Sequence, residues 1–195
     1  MVNVTRGSGP LVLGMPHTGT DLPIEVWKSL NEQGKRLVDT DWHIDRLYDS
    51  LSENVTVVRT LNHRYVIDVN RSPFDESLYP GQNTTGLCPT TDFDGNPIYL
   101  PGLEPKSEEI TARIVKYHMP YHKSLNSEIN RIKDLNGYAI LYDCHSIRPV
   151  IPFLFDGVLP DFSIGTNNGK TCSKLIEQKT VEILSLIHIS EPTRL

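Results

Sequence analysis

Short apolar runs that read as strands alternate along this chain with segments of helical period, and that alternation most narrows the folds open to it. Leu11-Val12-Leu13 stops at Gly14, and Val55–Val58, Tyr65–Val69 and Tyr138–Tyr142 are clusters of β-branched, aromatic or aliphatic residues, so each is predicted to be a strand. From about Lys35 to Leu51, the residues Leu37, Val38, Ile44, Leu47, Tyr48 and Leu51 recur at helical spacing and predict an amphipathic helix. A longer helix is predicted over Ser107–Leu135, with Ile110, Ile114, Leu125, Ile129 and Ile132 on one side. Glu108 and Glu109 suit its N-terminus, Pro120 should kink or split it, and Asn136-Gly137 should stop it. Leu175–Ile187 predicts another helix. Ser72–Pro105 is rich in Pro, Gly, Asn, Thr and Asp, and its length predicts a functional loop or lid.

The 195 residues suffice for a single domain, 1–195, whose core needs no disulfide. The formal charge is −5 and no dense Lys/Arg stripe occurs, which argues against nucleic acid as the partner. No apolar run is long enough to span a bilayer, and MVNVTRGSGP does not read as a signal peptide. Cys88, Cys144 and Cys172 form no C-x-x-C pair, so reduced thiols in the cytoplasm are expected. Cys144 reads as a small buried filler at a strand end rather than a nucleophile.

Chemistry enters with two histidines. His17 follows the first predicted strand, and His145 follows the strand at Tyr138–Tyr142. Active sites of open α/β sheets lie beyond the carboxyl ends of the strands, so the two could converge on one metal ion. Taken alone, they also fit hydrogen-bonded histidines of the core or surface. Near the end of the run Arg64 to Arg71, Asn70 and Arg71 offer an amide and a planar guanidinium fork suited to a carboxylate. A structural salt bridge is the alternative there. His118 and His122 stand four apart, but Pro120 lies between them and no H-E-x-x-H pattern surrounds them, so a metal site is not predicted. His43 and His63 are expected at the surface or in helix packing, and Trp42 and Tyr48 in the core.

Several separated motifs together resemble the zinc-dependent N-formylglutamate amidohydrolases, relatives of aspartoacylase and the zinc carboxypeptidases. They are Pro16-His17-Thr18-Gly19, Asp39 to Tyr48, Arg64 to Arg71, Tyr121-His122, Asp143-Cys144-His145-Ser146, Pro152 to Phe155 and Asp161 to Gly169. The resemblance runs from about residue 10 to 180. It implies a three-layer α/β/α, zinc-carboxypeptidase-like fold with a mixed, mostly parallel sheet. It also implies Zn²⁺ held by His17, His145 and a carboxylate. The carboxypeptidase relatives take a Glu three residues after the first His, where this chain has Thr20; Asp41 is the choice here, with Asp45 as the alternate. Asp143 would orient the His145 ring. Arg64 would polarise the scissile carbonyl. Asn70 and Arg71 would hold a substrate carboxylate.

The implied activity is zinc-dependent hydrolysis of N-formyl-L-glutamate to formate and L-glutamate, in a histidine-degradation route. The alternatives are another N-acyl amino acid amidohydrolase, a carboxypeptidase-like enzyme, or an inactive fragment that binds metal or dicarboxylate. No late glutamate matching the general base of the carboxypeptidase relatives is found. The string SLIHISEPTRL resembles translated adapter sequence, so the residues after about 183 are expected to be a non-native tail on a chain truncated at its C-terminus.

Overall fold

The computed structural model describes residues 1–49, 54–74, 85–167 and 169–185. Two compact units divide the chain, Met1–Ile147 and Arg148–Leu195. In the first, strands β1 (Val2–Thr5), β2 (Leu11–Met15), β3 (Thr56–Thr60) and β4 (Ile140–Asp143) form one sheet in the order β1-β3-β2-β4. β2 pairs in parallel with both β3 and β4, and β1 runs antiparallel on β3, so the sheet is mixed and mostly parallel.

The pleat sorts the side chains of the central strands. Val12 and Val58 face one side, where Tyr121, Leu125 and Ile132 of the long helix pack on them. Leu13 and Met15 face the other side and meet Ile44 and Cys144. Full burial of each such aliphatic side chain is worth about 1.5–3 kcal/mol. A third cluster, Val26, Leu30, Tyr65, Val66, Ile98 and Tyr99, joins helix α1 (Ile24–Ser29) to the loops beside it.

The long helix forms much as its periodicity predicts. It runs as α4 (Ser107–Arg113), a π-helical stretch at Ile114–His118, and α5 (Met119–Asn136), where α2 and α3 are the single turns Glu32–Lys35 and Ile44–Leu47. Pro120 has no N–H to give the preceding turn, and the backbone widens next to it instead of breaking. Gly137, at φ +82°, closes α5 as the left-handed cap.

Two predicted elements are corrected. Among the described residues, the helix predicted over Lys35–Leu51 shrinks to α3, because Leu37 and His43 take positive φ and break the helical path; residues 50 and 51 lie outside the described residues. Asp39, Thr40 and Asp41 are all buried, and three consecutive side chains cannot share one helix face. Trp42 is therefore not core; it is 51% exposed. The strand over Tyr65–Val69 is not a strand. It runs as buried turns, held by bonds such as Val66 N–H to the His63 carbonyl and Asp68 N–H to the Leu87 carbonyl. Its apolar run reflects burial on both sides without a ladder partner. His63, expected at the surface or in helix packing, is fully buried edge-on against Tyr65.

The described parts of Ser72–Pro105 contain isolated bridges rather than strands or helices; residues 75–84 lie outside the described residues. The second unit holds α6 (Lys174–Ser185), which matches the predicted helix as far as the described residues reach. Most of the predicted non-native tail, residues 186–195, lies outside them.

Candidate metal centre and active site

His17 lies just beyond the carboxyl end of β2, and His145 two residues beyond the end of β4. Parallel pairing of those two strands brings both histidines to the same sheet end. The Cys144 N–H to Gly14 carbonyl bond of 2.8 Å extends the pairing toward His145. Asp41 arrives from the broken segment before α3, and its N–H donates to the His17 carbonyl at 3.0 Å. Gly19 lets the loop after His17 lie directly on the Thr60–Leu61 backbone, since a Cβ there would stand 2.4 Å from the Leu61 carbonyl carbon.

The resulting cage is compact. Asp41 Oδ2 lies 3.2 Å from His145 Nδ1 and 3.6 Å from His17 Nδ1. Among the described residues, His17, Asp41 and His145 form a group whose ligand atoms all fall within 4.8 Å of one another. Tetrahedral zinc with ligand bonds of about 2.0–2.2 Å needs ligand atoms roughly 3.4 Å apart, and the two Asp41 separations bracket that spacing. Asp45, the alternate ligand, turns away to pair with Arg59 at 3.1 Å.

A second ring of contacts orients the cage. His17 Nε2 donates to Asp68 Oδ1 at 2.7 Å, which frees Nδ1 to face Asp41. The other oxygen of Asp68 accepts from Arg64 at 2.5 Å, and the Asn70 N–H donates to Asp68 Oδ1 at 2.9 Å. The side-chain amide of Asn70 lies 3.2 Å from His145 Nε2. Asp143 is placed otherwise than expected. Its carboxylate lies against Gly14, where a Cβ would stand 2.2 Å from Oδ1, and the His145 ring nitrogens face Asp41 and Asn70 instead.

Arg64 interacts with the carboxylates of Asp39, Asp41 and Asp68, and Arg71 also acts on Asp68. Burial alone would raise Asp68, but the Arg64 cation and His17 hold its carboxyl well below the usual range. Burial likewise opposes ionisation of Asp41, and hydrogen bonds from His145 and His17 overcome it and lower the pKa. Burial and Arg64 disfavour the His17 imidazolium, yet the acceptors Asp68 and Asp41 outweigh them and its pKa rises. Asp39 goes the other way: burial raises it, although Tyr65 Oη and the Phe93 N–H donate to it at 2.7 and 3.0 Å.

Arg64 is buried, with its guanidinium 4.7 Å from the Phe93 ring centre. Arg71 donates to the Thr85 carbonyl at 3.0 Å and to its hydroxyl at 3.3 Å. Arg71 and Asn70 line an open cleft of about 550 Å³ together with His118 and His122. Cys144 is buried at the strand end as expected, and burial pushes its thiol up to about 12, which suits a filler and not a nucleophile. The residue that sequence reasoning left without a role is Asp68. Its signal was its place two residues before Asn70-Arg71, at the centre of the run that also supplies Arg64.

These features define a class: an α/β protein with a His-Asp-His cage of metal-ligand geometry at the carboxyl end of a mostly parallel sheet. The sequence profile of the N-formylglutamate amidohydrolase family matches residues 9–190, and the chain belongs to that family. The N-formylglutamate deformylase of Pseudomonas aeruginosa is 45% identical over 173 residues, covering 88% of this chain and 65% of the relative. That of Pseudomonas putida is 44% identical over 175 residues, covering 89% and 65%. The chain thus spans somewhat less than two thirds of the length of these relatives. The crystal structure of N-formylglutamate amidohydrolase from Ralstonia eutropha JMP134 superposes with a TM-score of 0.79 at 24% identity, over 99% of this chain and 75% of the other. A protein of Agrobacterium tumefaciens gives 0.61 at 21% identity, over 84% and 62%. Among the described residues, no helix is long and apolar enough to cross a membrane.

Proposed function

We propose that this chain carries the metal centre of a hydrolase that cleaves the formyl amide of N-formyl-L-glutamate, giving formate and L-glutamate, with zinc held by His17, Asp41 and His145. The observation that carries the reading is the separation of the Asp41 oxygen from the two Nδ1 atoms, 3.2 and 3.6 Å, inside a hydrogen-bonded cage. When bound, zinc supplies Lewis acidity toward water and the scissile carbonyl. The residues of the chain do the rest. Asp68 holds the His17 ring so that Nδ1 faces inward, and Asn70 holds His145 from its Nε2 side. Arg64 keeps Asp68 ionised and adds positive charge near the oxygen that turns anionic. Arg71, with Asn70 at the cleft wall, receives the substrate carboxylate.

The same reading includes the three-layer, zinc-carboxypeptidase-like arrangement, supported by α5 on one sheet face and α3 on the other. It also places the protein in the cytoplasm, at the last step of a histidine-degradation route, in keeping with Cys88, Cys144 and Cys172 standing outside any disulfide. The test has two parts. Calorimetric titration of the purified protein should show one zinc ion per chain, lost in His145→Ala. Formate release from N-formyl-L-glutamate should then depend on supplied zinc. Failure to bind zinc overturns the centre. Cleavage of another N-acyl amino acid in place of the formyl substrate overturns the specificity.

A further inference from the structure

His118 ends the π-helical stretch, and His122 sits one turn further along α5, their rings 4.5 Å apart. Neither ring nitrogen Nε2 points to a metal cage. His118 Nε2 lies 2.9 Å from the Arg71 carbonyl, and His122 Nε2 lies 2.8 Å from the Val69 carbonyl. A carbonyl only accepts, so both Nε2 atoms carry the proton. The segment they grip lies in no helix or strand, and no sheet ladder fixes its backbone. The residue between the two gripped carbonyls is Asn70, whose amide meets His145 and whose N–H meets Asp68. Burial disfavours the charged form of His118, consistent with a neutral donor.

We propose that His118 and His122 are positioning residues: their Nε2–H groups clamp the carbonyls of Arg71 and Val69 and so hold Asn70 and Arg71 in place beside the metal centre. The clamp deepens the reading given above and rests on it only where ligand affinity is concerned. The π-helical stretch is part of the device, because a widened turn next to Pro120 sets where His118 points relative to His122.

The test separates the clamp from the substrate assignment. In isotope-labelled protein, NMR of the imidazole nitrogens should show the Nε2–H tautomer for both histidines; an Nδ1–H tautomer at either overturns the proposal. Backbone amide exchange at Asn70 and Arg71 should speed up about tenfold in His118→Leu and in His122→Leu, the loss of one hydrogen bond, while β2 and β3 stay protected. His118→Gln and His122→Gln keep an N–H near the place of Nε2, and exchange should stay within about twofold of the parent. L-Glutamate affinity of the zinc-loaded protein should follow the same order, about tenfold weaker with Leu and nearly restored with Gln. Equal damage by Leu and Gln, or none by either, overturns the clamp. If the parent protein binds no L-glutamate while tautomers and exchange behave as stated, the substrate reading fails and the clamp stands.

Discussion

Asp68 is the residue whose loss should reach furthest. It is fully buried and accepts from His17, Arg64 and the Asn70 N–H at 2.7, 2.5 and 2.9 Å. Asp68→Asn keeps the shape but removes the charge, and turns an N–H₂ toward one of those donors. The Arg64 guanidinium then stays buried with its nearest counter-ion gone, and its Nε already has no hydrogen-bond partner among the described residues. Breaking a buried pair from one side costs about 3–5 kcal/mol, a large share of a total stability of roughly 5–15 kcal/mol. Releasing the His17 ring should also weaken zinc binding about 10–100-fold. Urea unfolding of the metal-free protein reads the first effect, and chelator competition reads the second. Arg64→Met in the Asp68→Asn background removes the stranded cation, so the double variant should recover about 2 kcal/mol relative to the sum of the singles. Additive losses would refute the pairing argument. Asp68→Asn with zinc affinity within about threefold of the parent would refute the orienting role.

Acid should unfold the protein partly through His63. Burial and the neighbouring Arg64 cation lower its pKa to about 3, against an unfolded value of about 6.5. Between those values the unfolded chain binds a proton that the folded one refuses, so this contribution is full above about pH 6.5 and is lost as pH falls toward 3, by about 1.4 kcal/mol per pH unit. His63→Asn should flatten that part of the stability curve between pH 6 and 4; an unchanged slope argues against it. Gly19→Ala should cost about 1–3 kcal/mol by overpacking and lower zinc affinity by moving His17, because the new methyl meets backbone at Leu61 that cannot swing aside. Gly165→Ala, with open space around its position, is the control and should be neutral in thermal melts.

How far the sequence reaches can be read from particular residues. The strands at Leu11 and Thr56 were legible because short apolar runs between polar turns have few other ways to be buried, whereas the strand at Ile140 was legible from its residue types alone, since all four of its residues are exposed. β1 was not, since Val2-Asn3-Val4-Thr5 is a mostly exposed edge strand with little apolar signal. The helix over Lys35–Leu51 was misread because its apolar spacing came from residues buried for separate reasons. Leu37 packs beside α1, whereas Ile44 packs under β2. Tyr65–Val69 looked like a strand because burial and strand formation select the same residue types.

In the site, the residue types and their order along the chain were set by sequence: His17 and His145 after strands, an acid at Asp41, and Asn70-Arg71 together. Their meeting was decided by the fold, through parallel pairing of β2 with β4 and the broken backbone that turns Asp41 inward. The linkage from His17 through Asp68 to Arg64, and the hold of His118 and His122 on the Val69–Arg71 carbonyls, also belong to tertiary structure. Periodicity reports which face of an element is buried. It carries no information about which distant donor a buried acceptor will find, because that choice is made only when the layers close on one another.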